Sequence, residues 1–249
     1  MKPDERLIVF AHARSGSTSL IGALGEHPEL ELLAEPFNSD HASWWHGHRE
    51  YRQRVVDEAT LNTVLGEIFA AYDGFKTLTS QLPEPLNRSM LLAPDRKLVF
   101  LRRRNLLRAV VSNLLGHETK LWHLELAQKP VVEYFSELRP LSVETVGGWL
   151  GHVVETVGAY AEMLAGLPPD RCLNLFYEDL FLAPPAERQA RLDRVFAFLD
   201  LDPLPAGAAD RYLDPARARL NTEETYALVP NLREIDDALG SDEHGRLFD

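Results

Sequence analysis

Two short, almost unbroken apolar runs stand out along the chain, "RLIVFAH" at 6–12 and "KLVFLRR" at 97–103, and a last clear strand, "RCLNLFYEDL", lies at 171–180; each is followed by a segment of helical period. A strand with one face in water alternates apolar and polar residues. A run without that alternation is buried on both faces, as in a parallel sheet. Parallel neighbours require a crossover between them, usually a helix. Two weaker strands fit the same scheme: "LELLAEPF", stopped by Pro36, and "GFKTLT" at 74–79. Helices are predicted over "STSLIGALGEHPEL", ending near Gly25 and Pro28, over 61–72, over "NLLRAVVSNLLGHETKLW", over 143–167 (weakened by its glycines) and through "RQARLDRVFAFLDL". Residues 38–60 are polar and aromatic without clean periodicity. From Pro203 onward, with Pro205, Pro215 and Pro230, the chain reads as irregular with short helices. The fold expected is α/β, a parallel β-sheet flanked by helices, in one domain over 1–249 with a core at 6–203 and an irregular segment at 204–249. Ligands on such sheets bind at the carboxyl ends of the strands.

Charge narrows the function classes. Lys and Arg total 26 against 38 Asp and Glu, a net charge of −12. The whole molecule therefore repels nucleic acid and anionic membrane, and any anion site must be a local basic patch. The single cysteine, Cys172, allows no intramolecular disulfide, which fits a reducing compartment. No apolar run has the length of a signal peptide core or of a span of ~20 residues, so a cytoplasmic protein without a membrane span is expected. A homodimer is left open.

The first strand runs into "ARSGSTS". Gly16 lets the backbone curl close to an anion. Ser15, Ser17, Thr18 and Ser19 offer hydroxyls, a helix N-terminus offers amides, and Arg14 offers a rigid donor fork. A Walker loop would end in Gly-Lys-Ser/Thr. Here the cation precedes the glycine and no lysine follows it. A plain serine-rich helix cap with a solvated arginine is the competing reading. The second strong strand exits into Arg102, Arg103 and Arg104. Three arginines at the positive end of a helix dipole are unfavourable without an anion partner. Ser112 lies eight residues after Arg104, about two helical turns on.

The two motifs together resemble the sulfotransferases that use 3′-phosphoadenosine 5′-phosphosulfate (PAPS). In that family a Lys/Arg-Ser-Gly-Ser/Thr-Thr loop holds the 5′-phosphosulfate, matched by Arg14 to Thr18. An Arg followed eight residues later by Ser holds the 3′-phosphate, matched by Arg104 and Ser112, with Leu106 where proline is usual. "FYEDL" at 176–180 resembles the family's Tyr-Glu-Asp-Leu strand end, placing Tyr177 near the adenine. "FAFLDLDP" at 196–203 resembles the Phe-Leu-Gly-Leu segment found after that strand. The likeness implies a fold close to nucleotide kinases, PAPS as co-substrate, 3′,5′-ADP as product and no metal. A kinase-like phosphotransferase is the competing enzyme; a PAPS-binding scaffold is the non-catalytic alternative.

In the phenol and steroid branch the base is a His two residues after a Lys. Lys76 is present, but Leu78 stands at the His position, and the carboxyl-terminal Arg-Lys-Gly motif is missing. A carbohydrate branch, typified by bacterial trehalose sulfotransferases, uses a Glu in Glu-Pro-Phe/Leu as base, and "AEPF" puts Glu35 there. Pro36 predicts an extended backbone at Glu35, and Leu33, Ala34 and Phe37 predict a desolvated carboxyl with a raised pKa. An exposed loop glutamate is the plain alternative. Lys76 would join Arg14 in neutralising developing charge. The acceptor is expected to be a carbohydrate or small-molecule alcohol. Trp44 and Trp45 are candidates for its wall, with His41, His46 and His48 as reserve bases; His46 and His48 lack a third ligand for zinc. Glu125 within 116–126 is a further pocket candidate.

Overall fold

The computed structural model describes residues 5–39, 49–122, 127–136, 138–214 and 222–248. Five strands form one parallel sheet: β1 (Arg6–Ala11), β2 (Leu32–Ala34), β3 (Gly74–Leu78), β4 (Arg96–Arg102) and β5 (Cys172–Phe176). Their order is β2-β3-β1-β4-β5. β1 is therefore central, with Val9 in register with Lys76 on one side and Val99 on the other.

The physical reason is written in β1. Residues Leu7 to Ala11 are fully buried. Leu7, Val9 and Ala11 point into one apolar layer, together with Leu20 and Leu24 of α1 (Ser17–Leu24) and Leu192, Val195 and Phe196 of α8 (Pro185–Phe198). Ile8 and Phe10 point into the other layer. There they meet α3 (Glu58–Ala71) through Leu61, Val64 and Ile68, α4 (Glu84–Leu92) through Met90 and Leu91, and α7 (Val143–Ala165) through Tyr160 and Leu164. Two buried faces remove the need for any polar position in the strand. A third cluster joins α5 (Leu106–Thr119) to α7, to the short helices Glu223–Ala227 and Leu232–Leu239, and to Leu247 near the end of the chain.

Side chains mark several helix starts. Asp57 and Thr60 make a reciprocal capping box on α3, Asn105 accepts from the Arg108 amide on α5, and Ser142 accepts from the Thr145 amide on α7. The helix expected over 143–167 forms as α7, with Gly148, Gly151 and Gly158 on its solvent side while Val146, Leu150, Val157 and Leu164 hold the buried stripe. One local boundary is corrected. The helix expected to reach Trp122 ends at Thr119, where Lys120 turns left-handed at φ 57°. The helices α4, α2 (Arg49–Arg54) and α6 (Val131–Phe135), of nine, six and five residues, are too short to set a clear helical period in the sequence. No helix among the described residues is long and apolar enough to cross a membrane.

Candidate functional site

All five strands are parallel, so Ala11, Ala34, Leu78, Arg102 and Phe176 end on one edge of the sheet. The chain leaves β1 toward β2 and β3, then crosses to β4 and β5. The carboxyl edge beside β1 is thus the point where the strand order reverses, the usual ligand position in such sheets. The loop 12–16, the turn after Ala34, the turn after Leu78, the arginine run 102–104 and Tyr177 all converge there.

The loop is held from beneath. Ser15 is buried, and its hydroxyl donates to the His12 carbonyl at 2.7 Å. That bond commits the Ser15 hydroxyl proton to the main chain beneath the loop. His12 is a residue that the sequence reading passed over. Its Nδ1 donates to the Ala13 carbonyl at 2.9 Å, and its Nε2 accepts from the Arg103 amide at 3.1 Å. Those two bonds define a neutral imidazole and tie the loop to the exit of β4. Burial, with the Arg103 and Arg102 charges adding to it against the Ala13 hydrogen bond, pushes the His12 pKa down to about 4. The signal was present as a lone His between a buried strand and a glycine loop, but its partner lies 91 residues away.

Gly16 caps α1 at φ 85°. A Cβ there would stand 2.7 Å from Phe181 and 2.9 Å from Tyr177, so this position requires glycine on both counts. Arg14 also has a left-handed φ, 64°. Its Nε donates to the Ser112 hydroxyl at 2.9 Å and its Nη1 to the Trp122 carbonyl at 3.1 Å. The structure thus brings Arg14 and Ser112, parts of two separate motifs, into direct contact. Both partners of Arg14 are neutral, and no carboxylate among the described residues pairs with it. Burial above all, and then the Arg103 charge, hold the guanidinium below its ordinary pKa, with Tyr226 and Tyr177 acting the other way.

The arginine run divides its labour. Arg103 stacks over the Tyr177 ring at 4.5 Å, and its Nη1 donates to the Arg14 carbonyl at 3.2 Å. Its Nε is buried with no hydrogen-bond partner among the described residues, Glu178 standing 3.8 Å away. Arg104 lies over Phe176 at 4.1 Å and makes a two-pronged pair with Asp179 at 2.7 and 2.8 Å. Phe176 is flanked by Arg102 as well, at 4.6 Å. The first-turn amides of α5 are already taken: Leu107 donates to the His244 carbonyl at 3.0 Å and Arg108 to Asn105 Oδ1 at 2.8 Å. The basic character of this flank therefore resides in side chains, with Arg104 shared with a carboxylate.

On the other flank Lys76 is buried within β3. It pairs with Glu35 Oε1 and donates to Thr18 Oγ1 at 3.0 Å. Glu35 Oε2 accepts from Asn38 Nδ2 at 2.7 Å and from Gln81 Nε2 at 2.8 Å. Two expectations for Glu35 are corrected. Its backbone has φ 50°, left-handed rather than extended. The Glu35 amide bonds the Lys76 carbonyl at 2.8 Å and the Asn38 amide bonds the Glu35 carbonyl at 3.0 Å, and this tight turn outweighs the preference that Pro36 imposes. Its pKa is lowered, not raised: burial pushes it up, but the Lys76 charge and the hydrogen bonds from Lys76, Asn38 and Gln81 together prevail. Trp44, Trp45, His41, His46, His48 and Glu125 lie outside the described residues.

No family model matches the chain, and no curated protein matches it. Several solved structures are similar in the course of the chain. The sulfotransferase domain from the curacin biosynthetic pathway is 18% identical, with a TM-score of 0.48, covering 94% of this chain and 88% of that one. Mouse sulfotransferase SULT7A1 complexed with PAP is 12% identical, TM-score 0.48, covering 96% and 76%. A sulfotransferase from Alicyclobacillus acidocaldarius is 16% identical, TM-score 0.47, covering 94% of each chain. Likeness at this level leaves the assignment of function to the residues of the site.

Proposed function

We propose that the chain transfers the sulfuryl group of PAPS to a hydroxyl acceptor. The observation that carries the reading is Arg14: a half-buried cation beside a glycine loop, whose hydrogen-bond partners are both neutral. Desolvating a charge without a counter-ion is costly, and a bound phosphosulfate would supply that counter-ion. Gly16, Ser17, Thr18 and Ser19 would receive the phosphosulfate through the start of α1, Ser15 through its amide alone. Ser112, bridged to Arg14, would reach the 3′-phosphate together with Arg104, which must loosen from Asp179 to do so. Tyr177, backed by Arg103 and Phe181, offers a ring for the adenine.

In the transfer, the acceptor oxygen forms a bond to sulfur as its proton passes to Glu35. The bond from sulfur to the bridging oxygen breaks, and its electron pair stays on the 5′-phosphate of 3′,5′-ADP. Lys76 already spans Thr18 of the loop and Glu35. Moving toward the bridging oxygen would stabilise the leaving charge and release the carboxylate as base in one displacement. The Glu35-Pro36-Phe37 turn favours a carbohydrate or small-molecule alcohol as acceptor, by its likeness to the carbohydrate branch. A PAPS-consumption assay across sugar, phenol and alcohol acceptors tests the proposal. Turnover with an alcohol or sugar is expected; binding of 3′,5′-ADP without turnover on any acceptor would favour the scaffold, and a preference for ATP with Mg²⁺ the kinase.

A further inference from the structure

We infer that Gln81 is a positioning residue that presents one oxygen of Glu35, Oε1, to the acceptor's proton. The inference rests on the sulfuryl-transfer reading with Glu35 as base. Gln81 lies in the turn after β3, its amide donating to the Leu78 carbonyl at 3.0 Å. Its side-chain Oε1 accepts from the Thr77 hydroxyl at 2.9 Å and from the Leu78 amide at 3.2 Å. The Thr77 hydroxyl could rotate to accept, but the Leu78 amide can only donate. A flipped Gln81 would set its NH₂ against that amide and its oxygen against the Glu35 carboxylate. The observed orientation is thereby enforced, and Nε2 faces Glu35 Oε2 at 2.8 Å.

An ionised carboxylate has about four lone-pair positions. Asn38 and Gln81 fill the two on Oε2. Lys76 takes one on Oε1. Among the described residues no further donor reaches Glu35, so the position left is on Oε1, the oxygen beside Lys76 and hence on the side of Thr18 and the loop. The acceptor's proton goes there as its oxygen bonds to sulfur. Among the described residues the charged group facing Glu35 is Lys76 of β3; Asn38 of its own turn and Gln81 are neutral, as is Thr18 of α1 on the far side of Lys76. No part of this was assigned from the sequence, because an isolated "TSQL" carries no sign that its glutamine meets a glutamate 46 residues earlier.

The test tracks the Glu35 carboxyl by ¹³C NMR titration, assigned against Glu35→Gln, alongside the pH profile of kcat and the thermal shift with 3′,5′-ADP. In Gln81→Leu the Glu35 titration and the acid limb of kcat should both move up by about one pH unit, the weight of one hydrogen bond to a charged group. Turnover should fall ~10-fold, with the nucleotide shift unchanged. Thr77→Val, which loosens Gln81 without removing it, should shift the same titration in the same direction and by less. If Gln81→Leu does not fold, this second variant carries the test. An active wild type whose Glu35 titration and acid limb are unmoved by the variant overturns the role of Gln81 alone. A wild type that consumes no PAPS overturns the transfer reading, and the proton role with it, whatever the titration shows.

Discussion

On the β3 side of β1, Lys76 and Glu35 cancel one another inside a network in which both carboxylate oxygens have donors. On the β4 side, Arg14, Arg102, Arg103 and Arg104 gather, and the carboxylates that pair with them are Glu178 and Asp179. The remaining positive charge is spread over the rings of Phe176 and Tyr177 and over neutral oxygens. A balanced pair at the end of a buried strand is suited to moving a proton. A surplus of guanidinium groups in an acidic protein is suited to receiving an anion. On the proposed reading the balanced flank handles the acceptor's proton and the arginine flank holds the anionic donor, Arg14 alone serving both donor binding and the developing phosphate charge; substitutions on the two flanks should separate accordingly.

The largest effect is expected on the balanced flank. Glu35→Gln keeps the size of the side chain but cannot take a proton, so PAPS turnover should drop ~10²- to 10⁴-fold while 3′,5′-ADP binding is nearly unchanged. Equal loss of nucleotide affinity would merge the two flanks into one. Arg14→Ala should lower kcat by ~10²-fold or more through lost electrostatic stabilisation, and should weaken the nucleotide as well. Near-normal turnover would make Arg14 a mere flank of the helix.

His12 joins the loop to β4, and its protonation should break that joint. Its folded pKa, about 4, lies below the ordinary 6.5. The unfolded chain therefore takes the proton first. The stability from neutral His12 is complete above pH 6.5 and is lost as pH falls from there toward 4, by about 3 kcal/mol in all. Glu35 has the carboxylate sign: its contribution is present above the ordinary glutamate range and is lost as pH falls through its lower folded value. Denaturation of His12→Gln measured between pH 6.5 and 4 should show a flatter loss of stability than wild type. An unchanged slope would mean that the imidazole titrates freely.

On the proposed reading, nucleotide binding tests the arginine flank directly. At ~100 times its dissociation constant, 3′,5′-ADP should raise the melting temperature by about 5–10 °C, and 5′-AMP at the same concentration far less. Equal shifts would remove the 3′-phosphate from the assignment of Arg104 and Ser112. The smallest expected effect is Asp179→Asn. It releases Arg104 from a half-exposed ion pair of modest worth, so 3′,5′-ADP should bind ~2- to 5-fold more tightly. Weaker binding would show that the pair orients Arg104 for the nucleotide instead of competing with it.

Much of the frame was legible in the residue order. Unbroken apolar strands with helical segments between them specify a parallel sheet, because only burial on both faces tolerates "LIVFA". Loop residues at the end of such a strand are placed on the carboxyl edge of the sheet by topology alone, so Arg14, Gly16 and Thr18 could be put on that edge without coordinates. Local signals failed where long-range contacts outweighed them. Pro36 favours an extended Glu35, yet hydrogen bonds within the turn and to Lys76 hold it left-handed. Apolar neighbours suggest a raised carboxyl pKa, yet a lysine 41 residues away reverses the sign. His12, Gln81 and Asp179 acquire their roles from partners on other strands and turns, and the spacing of residues along a chain does not record who those partners are. The sequence by itself determined the strand faces and which donors the loop carries, which depend on nearest neighbours. The tertiary structure alone decided where charge is compensated, since that depends on which side chains a folded backbone brings within a few ångströms of each other.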